Sequence, residues 1–128
     1  MGTPTINLSS IGQIAINAHD IERATAFYRD ALGMTHLFTA GGMSFFDCGG
    51  VRLMLGVADK PEFDHPSSIL YFNVEDARAA YEALKERVQF RDEPLIVHKT
   101  DTYDLWMAFF HDTEGNTLAL MSEIAVER

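Results

Sequence analysis

The feature that most constrains this chain is an internal echo. The run Asn17-Ala18-His19-Asp20 lies over Asn73-Val74-Glu75-Asp76, and Gly50-Val51-Arg52-Leu53-Met54-Leu55 lies over Gly115-Asn116-Thr117-Leu118-Ala119-Leu120. The order of predicted elements around these matches is also the same twice over. A unit recurring at about half the chain length signals a tandem duplication, in which each copy buries its apolar face against its twin.

Each copy reads as βαβββ. Ile14 and Ile16 alternate with Gln13, Ala15 and Asn17, the period of a half-buried strand. Asp20 stands at a helix N-cap, Ile21, Ala24, Phe27, Tyr28, Ala31 and Leu32 recur at helical spacing behind it, and Gly33 supplies the stop. Residues 35–39, 44–48 and 51–57 then form three short strands, parted by Gly41-Gly42 and Gly49-Gly50. In the second copy 69–74 is a strand, and Asp76 caps a helix with Ala77, Ala80, Tyr81 and Leu84 on its apolar face. Strands at 95–99, 105–110 and 117–122 complete it. The expected organisation is a lead-in (1–10), a first module (11–57), a linker with two prolines and mixed charge (58–67), a second module (68–123) and a tail (124–128), all within one structural domain.

With 128 residues, 47% of them apolar, the chain buries a core without disulfides or a structural metal. Its lone Cys48 forms no internal bridge and no Cys pair stands at ligand spacing, which points to a reducing compartment and a cytoplasmic location. The polar opening has no basic region followed by an apolar run, so no secretory leader is expected, and no stretch reaches the ~20 apolar residues of a membrane span. Ten Lys and Arg against 19 Asp and Glu give a formal charge of -9, which repels phosphate backbones and argues against nucleic-acid binding.

The segment Ile14-Ala15-Ile16-Asn17-Ala18-His19-Asp20 leads into Ala26-Phe27-Tyr28-Arg29-Asp30-Ala31-Leu32-Gly33-Met34. Near the end stand Phe110-His111-Asp112-Thr113-Glu114-Gly115-Asn116 and Leu118-Ala119-Leu120. Together these resemble the vicinal oxygen chelate superfamily, which includes glyoxalase I, bleomycin-resistance proteins and extradiol dioxygenases. The resemblance runs from about Ile11 to Glu123. It implies an α+β fold: two tandem βαβββ modules forming a cup-shaped mixed sheet, helices packed outside, and substrate bound within the cup, often at a dimer interface. The motif residues themselves specify the fold rather than chemistry: Phe27 and Tyr28 fill space between helix and sheet, and 112–116 is a tight turn.

Metal-dependent members hold a cation with His or Gln, Glu, His and Glu in chain order, oxygen and imidazole donors that leave coordination positions open for substrate. Carried across, those places fall on Gln13, Met54, Ile69 and Ala119, of which Gln13 alone can ligate a hard ion. Neighbouring residues offer no rescue beyond Ser68, so neither metal nor cofactor is expected. Strand parity sends Arg52, Met54, Ile69, Tyr71, Asn73, Thr117, Ala119 and Met121 into the cup together with Gln13, Ala15 and Asn17. That lining suits an apolar ligand pocket with a few orienting polar groups, or alternatively a dimer interface.

Three further residues stand out. His98 is either a base or ligand contact inside the cup, the catalytic candidate, or an edge-strand histidine facing water; Asp104 is the nearest carboxylate to orient it, or else part of the turn. Trp106 either stacks on a planar ligand or belongs to the core. Arg52 is the best anion anchor of the cup, its alternative being a strand-end arginine in solvent. His19, His36, His65 and His111 fit no zinc spacing, and Cys48 beside Asp47 is a poor nucleophile.

The expected function is binding of an apolar or aromatic small molecule by a metal-independent homodimer, with Gln13, Arg52, Met54, Ile69, Tyr71, His98, Trp106 and Ala119 as contacts. Two alternatives are a lyase, isomerase or dioxygenase with atypical ligands or metal-free acid-base chemistry, and an accessory interaction domain with a filled cup.

Overall fold

The duplicated pattern folds into two mixed sheets of matching topology, seen in a computed structural model that describes residues 6 and 8–128. The expected lead-in falls at 1–5 and 7 outside the described residues, while Ile6 and Leu8 are exposed. In chain order the elements are β1 (Gln13–Asn17), α1 (Ile21–Ala26, continued by a π-helical turn Phe27–Ala31), β2 (Thr35–Ala40), β3 (Met43–Cys48) and β4 (Val51–Gly56). The second copy has β5 (Leu70–Asn73), α2 (Ala77–Leu84), β6 (Gln89–Phe90), β7 (Leu95–Lys99), β8 (Tyr103–His111) and β9 (Thr117–Ala125). The first sheet runs β1-β4-β3-β2 and the second β5-β9-β8-β6, with β7 also paired to β8. In both, the strand before the helix lies parallel to the last strand of its own copy.

Local chemistry accounts for the element ends. The Asp20 and Asp76 carboxylates accept from the backbone N–H of Arg23 and Arg78, which fixes the start of each helix as the sequence predicts. Gly41-Gly42 and Gly49-Gly50 all have positive φ, the paired left-handed conformation that closes two-residue hairpins between β2, β3 and β4. The helices cover one face of the sheets, where Ile16, Phe46, Leu53, Leu55, Phe110, Leu118 and Leu120 pack with Ala24, Phe27, Tyr28 and Ala77 into one core. The predicted parity therefore holds: Leu53 and Leu55 face the helices, and Leu70, Phe72 and Val74 pack against the same core.

The structure departs from the sequence expectation in four places. First, α1 ends as a π turn, with Leu32 N–H donating to Phe27 O. Second, β6 is a two-residue strand whose short run carries no alternation to reveal it; together β6 and β7 occupy the edge that β2 occupies in the first sheet. Third, β8 and β9 outrun the predicted 105–110 and 117–122, because their pairing continues out to Tyr103 and Ala125. Fourth, the linker contains a 3₁₀ turn at Pro61–Phe63. Among the described residues no helix is long and apolar enough to cross a membrane.

The two copies are locked together through the turn after β8. Glu114 accepts the backbone N–H groups of His19 and Asp20 at 2.8 Å each and the Arg23 Nε–H at 2.9 Å, so a carboxylate of the second copy holds the first copy's helix entry. Burial pushes that carboxyl up, but the Asp20 N–H, the Arg23 guanidinium, the His19 N–H and the Thr113 hydroxyl outweigh it and hold it at about 2.

Candidate functional site

On the face of the first sheet opposite the helices, the register places Ala15 beside Met54, Asn17 beside Gly56, and Gly56 beside Met43. The chain leaving β4 turns back over this patch. Residues 57–67 form a strap tied down by Asn17, whose backbone N–H donates to Ser67 Oγ at 3.0 Å and whose Nδ2 donates to the carbonyls of Phe63, at 2.9 Å, and His65. The Asn17 carbonyl in turn accepts from Asn116 Nδ2 at 2.9 Å, so the anchor is itself braced by the second copy. A His19–Asp64 contact of 3.2 Å adds a further tie at the strap's outer edge.

Between strap and sheet lies a cavity of ≈ 390 Å³. Its floor is Ala15, Met54 and Gly56, and Met43, Val57 and Phe63 form apolar walls. Polar atoms come from Asn17, Asp59, His65 and Ser67. Among the described residues lining it, Asp59 is the one carboxylate and there is no Lys or Arg, so the wall suits an uncharged or cationic guest better than an anion.

The sequence-predicted contacts distribute unevenly around this cavity. Met54 lines it. Gln13 lies one step outside, its Nε2 3.8 Å from Met54 Sδ. Arg52 is on the cup side as parity required, yet its guanidinium sits over the Phe45 ring, 5.6 Å from the centroid, instead of lining the cavity. Ile69, Tyr71 and Ala119 belong to the second sheet. Ile69 borders a separate, smaller hollow beside Gly115 and Thr117, and Tyr71 meets Phe109 edge-on at 5.9 Å across Ala119, which is 0% exposed.

His98 is exposed on the edge strand β7 opposite Leu105, which lies between it and Glu123, while Asp104 pairs with Lys99 and binds Arg128. Asp104, the nearest carboxylate in sequence, does not orient His98, because neighbouring residues of a strand point to opposite faces. Trp106, expected as a stacking surface for ligand, lies on the helix side: β8 alternation groups it with Ala108 and Phe110, and the Arg78 guanidinium covers its ring at 4.6 Å. The contacts missed in the sequence include Met43, Gly56, Val57, Asp59, Phe63 and His65. An unexplained glycine inside a strand and an aromatic in a proline-containing linker were the available signals.

The four residues that the resemblance aligns with the family's cation ligands fall on both sheets. Gln13 and Met54 are neighbours on the first sheet, Ile69 and Ala119 stand on the second, and Ala119 lies beneath two rings. Among the described residues no group of three or more His, Cys, Asp or Glu comes together in a way that could hold an ion. Burial and the neighbouring Asp47 charge push the Cys48 thiol up, which disfavours the thiolate form.

Comparison with known proteins matches this architecture. A solved glyoxalase/bleomycin resistance protein/dioxygenase from Nocardioides superposes with a TM-score of 0.76 at 19% identity, covering 94% of this chain and 87% of its own. A superfamily member from Sphaerobacter thermophilus gives 0.74 at 22% identity (91% and 98%), and a lactoylglutathione lyase from Agrobacterium tumefaciens 0.65 at 22% (89% and 93%). In sequence, a glyoxylase-like domain-containing protein from Didymella fabae is 32% identical over 120 residues, 86% of this chain and 91% of that protein. The model of the Glyoxalase/Bleomycin resistance protein/Dioxygenase superfamily matches residues 10–120, and the chain belongs to that superfamily.

Proposed function

We propose that this protein binds a small apolar or aromatic molecule in the cavity beneath the 57–67 strap, and that it does so without a metal ion. The carrying observation is the strapped cavity itself, an apolar floor and walls with a few polar groups at fixed positions, the composition of a small-molecule site. The identities of Gln13, Met54, Ile69 and Ala119 support metal independence, because three of those four side chains have no lone pair that a hard ion seeks. The protein acts by holding its ligand: Asn17, His65 and Ser67 orient it, and Met43, Met54 and Phe63 supply contact area. Exposed Ile69 (43%) and Tyr71 (44%) on the second sheet support pairing of two chains through their open faces.

The test is metal analysis of protein purified without chelator, joined to a thermal-shift screen of uncharged aromatic compounds. Substoichiometric metal with saturable stabilisation is expected, about 2.7 kcal/mol for a ligand at one hundred times its Kd. A full equivalent of nickel, zinc, iron or manganese, or a screen without any saturable response, overturns the proposal. Light scattering should return the mass of two chains.

A further inference from the structure

The two sheets carry equivalent positions facing away from the helices, and the strapped cavity lies on the first of them. Across β1, β4 and β3 the register aligns Ala15, Met54 and Phe45; across β5, β9 and β8 it aligns Tyr71, Ala119 and Phe109. The next row aligns Asn17, Gly56 and Met43 in the first sheet, and Asn73, Met121 and Met107 in the second. In the second sheet the Tyr71 ring reaches over Ala119 to Phe109, with centroids 5.9 Å apart at 81°, and covers the sheet completely there. In the first sheet the matching position is Ala15, which leaves Met54 uncovered, and the position matching Met121 is Gly56.

Gly56 is the last residue of β4, where the chain turns into the strap. It has no positive φ, and a Cβ built on it would meet Met43 Cγ and Met54 Cε at 3.6 Å, ordinary contact distances. Glycine in a strand marks a bulge, a bend or a close approach of another group; the bend here uses no left-handed backbone and leaves room for a Cβ, so it does not by itself demand glycine. β4 pairs with β3 and β1 through Gly56 without a register shift, which removes the bulge, and the space in front of the residue is the cavity.

We infer that Ala15 and Gly56 are the specificity-determining positions of the ligand site: the side chains they lack are the space a flat, uncharged or cationic ring system fills. The ring lies against the Ala15–Gly56 floor, between the thioethers of Met43 and Met54 and the Phe63 ring of the strap. This inference rests on the binding role proposed above and adds to it the positions that set the ligand's thickness.

The experiment exchanges residues between the sheets. Ala15→Tyr and Gly56→Met carry the second sheet's side chains into the first, Gly56→Ala fills part of the space, and the double variant Tyr71→Ala/Met121→Gly opens the second sheet. The probe is N-phenyl-1-naphthylamine, an uncharged fluorescent aromatic, titrated into the full-length protein, with circular dichroism melts to establish folding. The wild type should bind one saturable equivalent, Gly56→Ala should bind several-fold more weakly, and Ala15→Tyr and Gly56→Met should lose at least tenfold in affinity. The double variant should gain binding capacity. If the wild type binds the probe and folded Ala15→Tyr and Gly56→Met bind it equally well, the inference is overturned while the binding reading survives. If the wild type does not bind it and the double variant gains no capacity, both fall. Should Ala15→Tyr fail to fold, Gly56→Met and the double variant decide.

Discussion

The phenolic hydroxyl of Tyr28 donates to Asp112 Oδ2 at 2.7 Å, joining the first copy's helix to the second copy's hairpin turn across 84 residues of chain. Tyr28 is fully buried, and burial with the adjacent Asp112 charge pushes its ionisation far above the ordinary phenol range. Asp112 is further held by the N–H groups of Glu114 and Asn116 and by Asn116 Nδ2. Tyr28→Phe keeps the ring packing and removes one donor from a buried carboxylate. A loss of about 1.5–3 kcal/mol is expected, read by urea denaturation with an unchanged m-value. A variant as stable as the wild type would show that the remaining donors suffice.

Glu114 makes stability depend on acid. Its carboxyl stands at about 2 in the folded chain against 4.5 in an unfolded one, so the unfolded state binds more protons between these values. The contribution is fully present above pH 4.5 and is lost as pH falls through about 2. Glu114→Gln should lower stability at neutral pH by on the order of 3 kcal/mol at most. The difference between wild type and variant should shrink as denaturation is repeated at decreasing pH. A difference that is flat across that window would mean the side chain acts through shape alone.

Asn17 predicts the behaviour of the strap. Asn17→Ala removes the donor to the Phe63 and His65 carbonyls but keeps the backbone N–H bond to Ser67. Amide exchange across 57–67 should quicken by more than tenfold while β3, β8 and β9 retain their protection, since local opening is governed by the ties a segment itself makes. Uniform acceleration across all strands would place Asn17 in the global core instead.

Trp106 gives an intrinsic optical readout of sidedness. With its ring under Arg78 on the helix side, ligand added to the cavity should leave its emission unchanged, whereas Arg78→Ala should shift it. Quenching of Trp106 by ligand would contradict the assignment of β8 faces.

Much of the fold is legible because repetition and punctuation are local signals. Asp20, Asp76, Gly33 and the glycine pairs mark ends by their own backbone chemistry, and Leu53 and Leu55 declare the buried face by parity. The candidate site is less legible. Its floor is defined by what Ala15 and Gly56 lack, and its wall comes from a linker whose Phe63 and His65 are brought over the sheet by bonds to Asn17, 46 and 48 residues away. The sequence leaves open which face Trp106 takes, because the β8 register is set by β9 and β7, not by nearby residues.

The grip of Glu114 and Asp112 on the first helix also bears on how the two copies depend on each other. A fragment ending at Val57 would present the His19 and Asp20 amides and the Tyr28 hydroxyl to no acceptor, and a fragment beginning at Ser68 would carry two acidic side chains stripped of their cationic and phenolic partners. The two copies are therefore expected to depend on each other: expressed separately they should recover native spectra only when mixed, behaving as a complementing pair.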